Sequence, residues 1–172
     1  MLPPYSKAAR RAGSLIKLER LIGRPRAMVP RFWQFIDEQL DAEHVQMCRL
    51  AYKEIMEGGY KDALAVWCKA RKNRGLCKPE TKPVQDMYQV IVAHVQDAYG
   101  KNVQRVMEFL IGADGWVIAS ALATDGFVVT SENVRANKSK IKVPTVAKVF
   151  DVRCLNTPEM LRELGANFAP NK

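Results

Sequence analysis

The fold is decided by residues 113–130, which read ADGWVIASALATDGFVVT. The first part of this stretch is nearly all apolar, which predicts a helix that is buried on most of its sides. Asp125-Gly126 is typical of a turn, and the β-branched run at 127–130 is typical of a central strand in a parallel sheet. Because short helices and strands alternate from there to residue 164, we expect an α/β fold with helices on both faces of a mainly parallel sheet.

The chain before residue 113 is predicted to be mostly helical. Apolar residues recur at helical spacing in several segments and predict helices at 14–23, 30–41, 48–57, 61–73, 84–98 and 102–110. Residues 45–47 form a short extended candidate, and residues 1–13 are expected to be a loose arm. Downstream, we predict a helix at 144–150, a strand at 152–155 and a helix at 158–164 that Thr157 caps.

Composition narrows the class of protein. The chain has 172 residues, of which 48% are hydrophobic, and this fits one globular domain with a full core. No apolar run approaches the roughly 18 residues that a membrane span needs, so no membrane partner is expected. The four cysteines form no CxxC pair and there are two histidines, which disfavours a zinc site. Free thiols without a disulfide framework predict a cytoplasmic location.

The net charge of +9 is unevenly distributed. Residues 1–27 carry seven basic residues and one acid, which amounts to +6, and further basic runs lie at 69–78 and 135–142. Basic surfaces of this kind are typical of proteins that bind polyanions, although solvated helix faces would produce the same pattern. The charge pattern alone does not indicate whether such a polyanion would be RNA or DNA.

Two acids are expected at one edge of the predicted sheet. Glu132 follows the strand at its carboxyl end, and Asp114 opens the helix that precedes it. Carboxylates that meet repel each other and favour a divalent cation, and oxygen-only ligands select Mg²⁺ or Mn²⁺ over zinc. Alternatively, Asp114 is a plain N-cap or a first-turn acid favoured by the helix dipole, Glu132 is a solvated loop acid, and Thr130 is an ordinary strand residue.

From Pro30 onward the chain resembles the PIN-like domain family, in particular a bacterial branch related to VapC-type toxin ribonucleases. The matching pieces, in the right order, are Val29–Trp33, Tyr52–Ile55, Ala113–Leu122, Val128–Glu132, Lys142–Pro144 and Leu161–Gly165. The resemblance implies a three-layer α/β domain over residues 28–172. It also implies a Mg²⁺- or Mn²⁺-dependent endoribonuclease that cuts single-stranded RNA, acts as a toxin with an antitoxin protein as partner, and forms a homodimer.

Carried over by position, the resemblance assigns roles to four residues. Glu54, Asp114 and Glu132 match the family's metal-binding acids, and Thr130 matches the hydroxyl neighbour of the last one. Without the resemblance, Glu54 reads as a solvated acid on a polar helix face.

The beginning of the chain departs from the family pattern. The family's first strand ends in Asp-Thr-Asn or a close variant, whereas the nearest register sets Arg11-Ala12-Gly13 at that place. We therefore expect the first strand to be lost or replaced and residues 1–27 to be a basic segment outside the domain. Two accounts are open: a shifted reading frame or altered start that leaves an impaired site, or substitution by another acid, Glu19 or Asp37.

Three functional hypotheses follow. The first is the metal-dependent endoribonuclease. The second is a catalytically inactive PIN-like protein that binds RNA or a protein, motivated by the missing aspartate. The third is a basic α/β interaction module whose acids are caps and loop residues, which predicts that Glu54, Asp114 and Glu132 lie far apart.

Overall fold

The computed structural model describes residues 14–16, 30–57, 63–132 and 140–167. Over these ranges the elements are, in chain order, β1 (Ser14–Ile16), α1 (Pro30–Asp41), β2 (Val45–Cys48), α2 (Arg49–Glu57), α3 (Ala63–Arg71), β3 (Cys77–Lys78), α4 (Lys82–Tyr99), α5 (Val103–Ile111), α6 (Asp114–Ala123), β4 (Phe127–Val129), α7 (Val143–Val149), β5 (Cys154–Leu155) and α8 (Thr157–Glu163). The protein is a mixed α/β protein.

All five strands join one sheet in the order β3-β2-β1-β4-β5. Every neighbouring pair is parallel, and in the central register Ser14 lies between Val45 of β2 and Phe127 of β4. The first described strand therefore lies in the middle of the sheet, β2 and β3 extend the sheet on one side of it, and β4 and β5 extend it on the other side. The predicted parallel sheet is confirmed.

The expected loss of the first strand is wrong, because β1 is the central strand. The helix predicted at 14–23 is also wrong at residues 14–16, and its remainder, 17–23, lies outside the described residues. The physical reason is the pairing on both sides. Without β1, the facing edges of β2 and β4 would leave backbone N–H and C=O groups without partners inside the protein.

Helix α6 is the main apolar layer on the sheet. It contacts β1, β2 and β4, and α4 packs along it. Val117, Ile118, Ala119 and Ala121 are all buried, as the nearly all-apolar sequence predicts. No single described helix is long and apolar enough to cross a bilayer, and α5 and α6, which together reach the length, are bent by 60° relative to each other.

Most predicted helix boundaries are confirmed to within one or two residues, but the residue predicted to cap α8 is wrong. Asn156 caps this helix, not Thr157. The Asn156 side chain accepts a hydrogen bond from the Glu159 N–H at 3.0 Å, and the Glu159 carboxylate accepts one from the Asn156 N–H at 2.8 Å. This reciprocal capping box satisfies two backbone donors at once, so Asn156 is preferred over its neighbour. The short strand β3 was not predicted.

Candidate functional site

The topology places a crevice at the carboxyl edge of the sheet between β1 and β4. The strand order changes direction at this point, since β2 and β3 lie on one side of β1 while β4 and β5 lie on the other. In open parallel sheets, ligands bind outside the carboxyl ends of the strands at such a switch point. Residues 17–29, which follow β1, lie outside the described residues.

Asp114 and Glu132 line one cavity at this edge. Helix α6 leads through a short turn into β4 and runs opposite to it, so the start of the helix lies beside the end of the strand. The cavity has a volume of about 260 Å³, and its lining also includes Glu108, Lys140 and Lys142. The two acids singled out from the sequence thus face the same space, together with two cationic side chains.

Each oxygen of the Glu132 carboxylate contacts a neighbouring nitrogen. Its Oε2 accepts a hydrogen bond from the N–H of Val143 at 2.8 Å, and its Oε1 lies 3.5 Å from Nζ of Lys142. Val143 is the first residue of α7, whose own N-cap residue, Lys142, supplies no side-chain bond. Glu132 therefore caps α7 from the far side of the loop, and the idea that it is a solvated loop acid is wrong.

Thr130 orders the backbone that carries Glu132. It is buried, and its N–H donates to the carbonyl of Leu155 at 2.9 Å, which extends the pairing of β4 with β5. Its Oγ1 accepts a hydrogen bond from the N–H of Glu132 at 3.1 Å. The hydroxyl thus closes a tight turn that directs Glu132 toward the cavity.

Glu54 lies beside Asp114 but does not line the same cavity. Its Oε1 accepts a hydrogen bond from the N–H of Ala113 at 2.8 Å. This bond caps the N-terminus of α6, where a negative charge also interacts favourably with the helix dipole. Glu54 therefore ties α2 to the first turn of the helix that carries Asp114.

The carboxylates of this cavity are better suited to a Mg²⁺ ion that keeps several waters than to a metal ion coordinated by protein groups alone. Across residues 14–16, 30–57, 63–132 and 140–167, no group of three or more His, Cys, Asp or Glu residues is arranged to hold a metal ion. Mg²⁺ is often held by one or two carboxylates together with waters and substrate phosphates. Asp114 and Glu132, which share one cavity, can supply that pair of carboxylates.

The acids suggested as substitutes for the family's first aspartate do not complete the site. Asp37 on α1 binds Arg71 and Nε1 of Trp67, and none of these three residues lines the cavity of Asp114 and Glu132, here called the acid-lined cavity. Glu19 and the stretch Arg11-Ala12-Gly13 lie outside the described residues.

A second cavity, of about 340 Å³, lies on the other side of Glu132. It is lined by residues from the carboxyl ends of β4 and β5, including Thr130, Cys154 and Asn156. Burial, and then the nearby charge of Glu132, raises the pKa of Cys154 to about 11. The thiol is therefore neutral near pH 7 and is not an activated nucleophile.

Two residues at this cavity, Lys142 and Glu108, were not among the predicted site residues. Lys142 lies ten residues beyond Glu132, and no local pattern indicates that the two side chains meet. Glu108 could have been found, because it lies on the polar side of α5 shortly before Asp114.

Comparison with known proteins gives a match to one family model, described as a domain of unknown function, DUF4411, over residues 12–168. No curated protein and no solved structure matches the chain. Since the matched range covers most of the 172 residues and includes every described strand, this chain belongs to the DUF4411 family.

Proposed function

We propose that this protein is a metal-dependent endoribonuclease of the PIN-like class that acts on single-stranded RNA. The observation that carries the proposal is the shared cavity of Asp114 and Glu132 at the carboxyl edge of a parallel sheet whose order reverses there. One or two carboxylates, completed by waters and substrate phosphates, are a common way to hold Mg²⁺, and a switch point is where open parallel sheets bind ligands.

The parallel sheet is compatible with the finer fold assignment, a three-layer PIN-like domain. Its central strand comes first among the described strands, and the apolar helix α6 covers β1 and β4. The resemblance in the ordered motifs from Pro30 onward is the second support.

The cavity residues would have distinct tasks in this reaction. Asp114 and Glu132 would hold Mg²⁺ or Mn²⁺, which, when bound, neutralises phosphate charge and activates water. Lys140 and Lys142 supply positive charge at the same cavity and attract the phosphate backbone. Glu54, predicted from the resemblance to be a ligand, is better assigned as a positioning residue, because its carboxylate holds the start of α6.

Cleavage of a single-stranded RNA panel in the presence of Mg²⁺ tests the proposal. Asp114→Asn should lower the rate at least about a hundredfold, because it removes a charge from the metal site. Asp97→Asn is the matched control, since Asp97 is an exposed acid on α4 outside the cavity. If wild type and Asp114→Asn cut the panel at the same rate, the assignment fails.

A second candidate is a catalytically inactive PIN-like protein that binds RNA or a partner protein. The pairing of Glu132 with Lys142 favours it, because the ammonium group already neutralises one of the two acids. Calorimetric titration with Mn²⁺ discriminates between the two candidates. Saturable heat that disappears in Asp114→Asn supports the enzyme, whereas RNA binding without any Mn²⁺ heat supports the inactive protein.

The toxin role rests on the family resemblance, and so do the antitoxin partner and the homodimer. The cytoplasmic location rests on the free thiols and the absence of a membrane-spanning run in the sequence. All four stay predictions.

A further inference from the structure

A groove of about 480 Å³ lies beside the start of α6, between α2 and α4. One side of it is aromatic, formed by Tyr88 of α4 and Trp116 of α6, and another side is cationic, formed by Arg49 and Lys53 of α2. Its size is within the range of cavities that hold small ligands such as a nucleotide. None of these four residues belongs to the site described above.

The aromatic side is a fixed stack of two rings. The ring centroids of Tyr88 and Trp116 are 3.8 Å apart, and the ring planes differ by 6°. The Tyr88 hydroxyl donates to the carbonyl of Leu110 at 2.9 Å, which fixes the far end of the ring. Gly115 allows the ring to lie against α6, because a Cβ at this position would be 2.8 Å from Cε2 of Tyr88.

Arg49 and Lys53 on the cationic side each form a weak surface ion pair. Arg49 lies 3.7 Å from Glu80, and Lys53 lies 3.6 Å from Glu57, and both cations are exposed. Exposed pairs of this kind contribute little to stability, so either cation can exchange its partner for a phosphate at little cost. The lining of the groove contains two cations, Arg49 and Lys53, and one acid, Glu80. This excess of positive charge complements a polyanion.

The groove and the acid-lined cavity share α6. Trp116 lies two residues after Asp114 on α6, and Lys53 precedes Glu54 on α2. The hydrogen bond from Ala113 to Glu54 joins α2 to the start of α6. Because residues two apart on a helix point to different sides, the groove and the cavity lie on different sides of the start of α6, and a strand in the groove reaches Asp114 by passing around this end of the helix.

We propose that this groove binds one nucleotide of single-stranded RNA next to the cleaved phosphate, its base stacked on the Tyr88–Trp116 wall and its phosphate at Arg49 and Lys53. Every base has a stacking face, so such a site tolerates any sequence. The amide of Gln89, which also lines the groove, offers both a donor and an acceptor to a base edge. The RNA assignment rests on the proposed function, whereas the groove itself does not.

Tryptophan fluorescence tests base stacking directly. The chain has three tryptophans, and Trp33 and Trp67 are 1% and 0% exposed, so a ligand that stacks should quench only Trp116. Oligoadenylate of about ten nucleotides, titrated in EDTA so that nothing is cleaved, should give saturable quenching. The quenching should be lost in Trp116→Phe, which keeps an aromatic ring against Tyr88. RNA that binds by fluorescence anisotropy without quenching Trp116 overturns the proposal.

A double variant of Arg49 and Lys53 tests the contribution of the cationic side to RNA binding. Arg49→Gln with Lys53→Gln should weaken binding at least about tenfold and lower the slope of log affinity against log salt by about 1–2. Lys148→Gln, an exposed lysine on α7 that is not in the groove lining, is the matched control and should change the affinity less than about threefold. Equal effects in the double variant and the control contradict the placement of the phosphate.

The nuclease proposal and the groove proposal can each be refuted without refuting the other. RNA cleavage that depends on Mg²⁺ and Asp114 but is unaffected by the groove variants overturns the groove and leaves the enzyme. Quenching and a reduced salt slope, without any cleavage, support the groove and overturn the enzyme.

Discussion

Asp37 on α1 belongs to a largely buried ion pair that joins α1 to α3. Its carboxylate accepts two hydrogen bonds from the guanidinium of Arg71 on α3, through Nε and Nη2, and one from Nε1 of Trp67 at 3.0 Å. The Arg71 side chain is 9% exposed and that of Asp37 is 20% exposed. Asp37→Asn would therefore leave a nearly buried guanidinium without its counter-charge.

The cost of Asp37→Asn can be bounded. Removing one partner of a buried ion pair destabilises a protein by about 3–5 kcal/mol. Asparagine retains one oxygen acceptor, and Asp37 keeps some contact with water, so we expect the lower end, about 3 kcal/mol. For a protein of this size each kcal/mol shifts the melting temperature by about 2–4 °C, so it should fall by about 6–12 °C.

Asp41 provides a matched control on the same helix. It lies one turn beyond Asp37 and pairs in the same two-bond manner with Arg74, but the two side chains are 57% and 42% exposed. Because exposed ion pairs contribute little, Asp41→Asn should cost less than about 1 kcal/mol. Urea unfolding followed by circular dichroism measures both variants against wild type.

The same pair predicts a dependence on pH. Burial alone would raise the pKa of Asp37, but the hydrogen bonds and charge of Arg71, with smaller effects of Trp67 and Arg74, outweigh it and hold the pKa below its usual 3.8. A lowered folded-state pKa gives stability that is present above the unfolded value and is lost as pH falls through the folded one. The difference between wild type and Asp37→Asn should therefore shrink below about pH 4. Equal costs for the Asp37 and Asp41 variants at pH 7, or a difference that does not change with pH, would refute this reasoning.

Three further predictions concern the site and its neighbours. Glu54→Ala should cost about 1–2 kcal/mol in urea unfolding, because it leaves the buried N–H of Ala113, the N-cap residue of α6, without its acceptor. Glu54→Gln should cost clearly less, and equal costs would contradict the capping role. Alkylation of Cys154 should be slow at pH 8 and rise about tenfold per pH unit toward its pKa of about 11. Peptide mass spectrometry should show faster alkylation in Glu132→Gln, and an unchanged rate would count against the electrostatic contact. Gly115→Ala should cost about 1–3 kcal/mol and alter the near-ultraviolet circular dichroism of the Tyr88 stack, because the new Cβ would lie 2.8 Å from that ring; an unaltered spectrum would show that the ring moves freely.

The sequence predicted the elements around residues 113–130 well. Helix α6 is buried on nearly every side, so almost all its positions had to be apolar, and a β-branched run is favoured in a strand that is covered on both faces. The shared cavity of Asp114 and Glu132 was also predictable. In a parallel sheet, the start of a helix that precedes a strand lies at that strand's carboxyl end.

The central strand was not predictable from its own residues. Leu15, Leu18 and Ile22 recur at helical spacing, and three residues of strand are too few to show an alternation. Only the presence of β2 and β4 on either side, each needing a backbone partner, decides that residues 14–16 are extended.

Apart from β1 and β3, the sequence by itself determined which segments are helices or strands with a buried face, because the spacing of apolar side chains directly reflects burial. Only the tertiary structure decided what each acid does. Glu54 bonds to a backbone N–H 59 residues away, Asp37 to a guanidinium 34 residues away, and Glu132 to one N–H 11 residues along the chain. Such pairings depend on distances between segments that are set when the helices pack on the sheet, and no local pattern of residues encodes those distances.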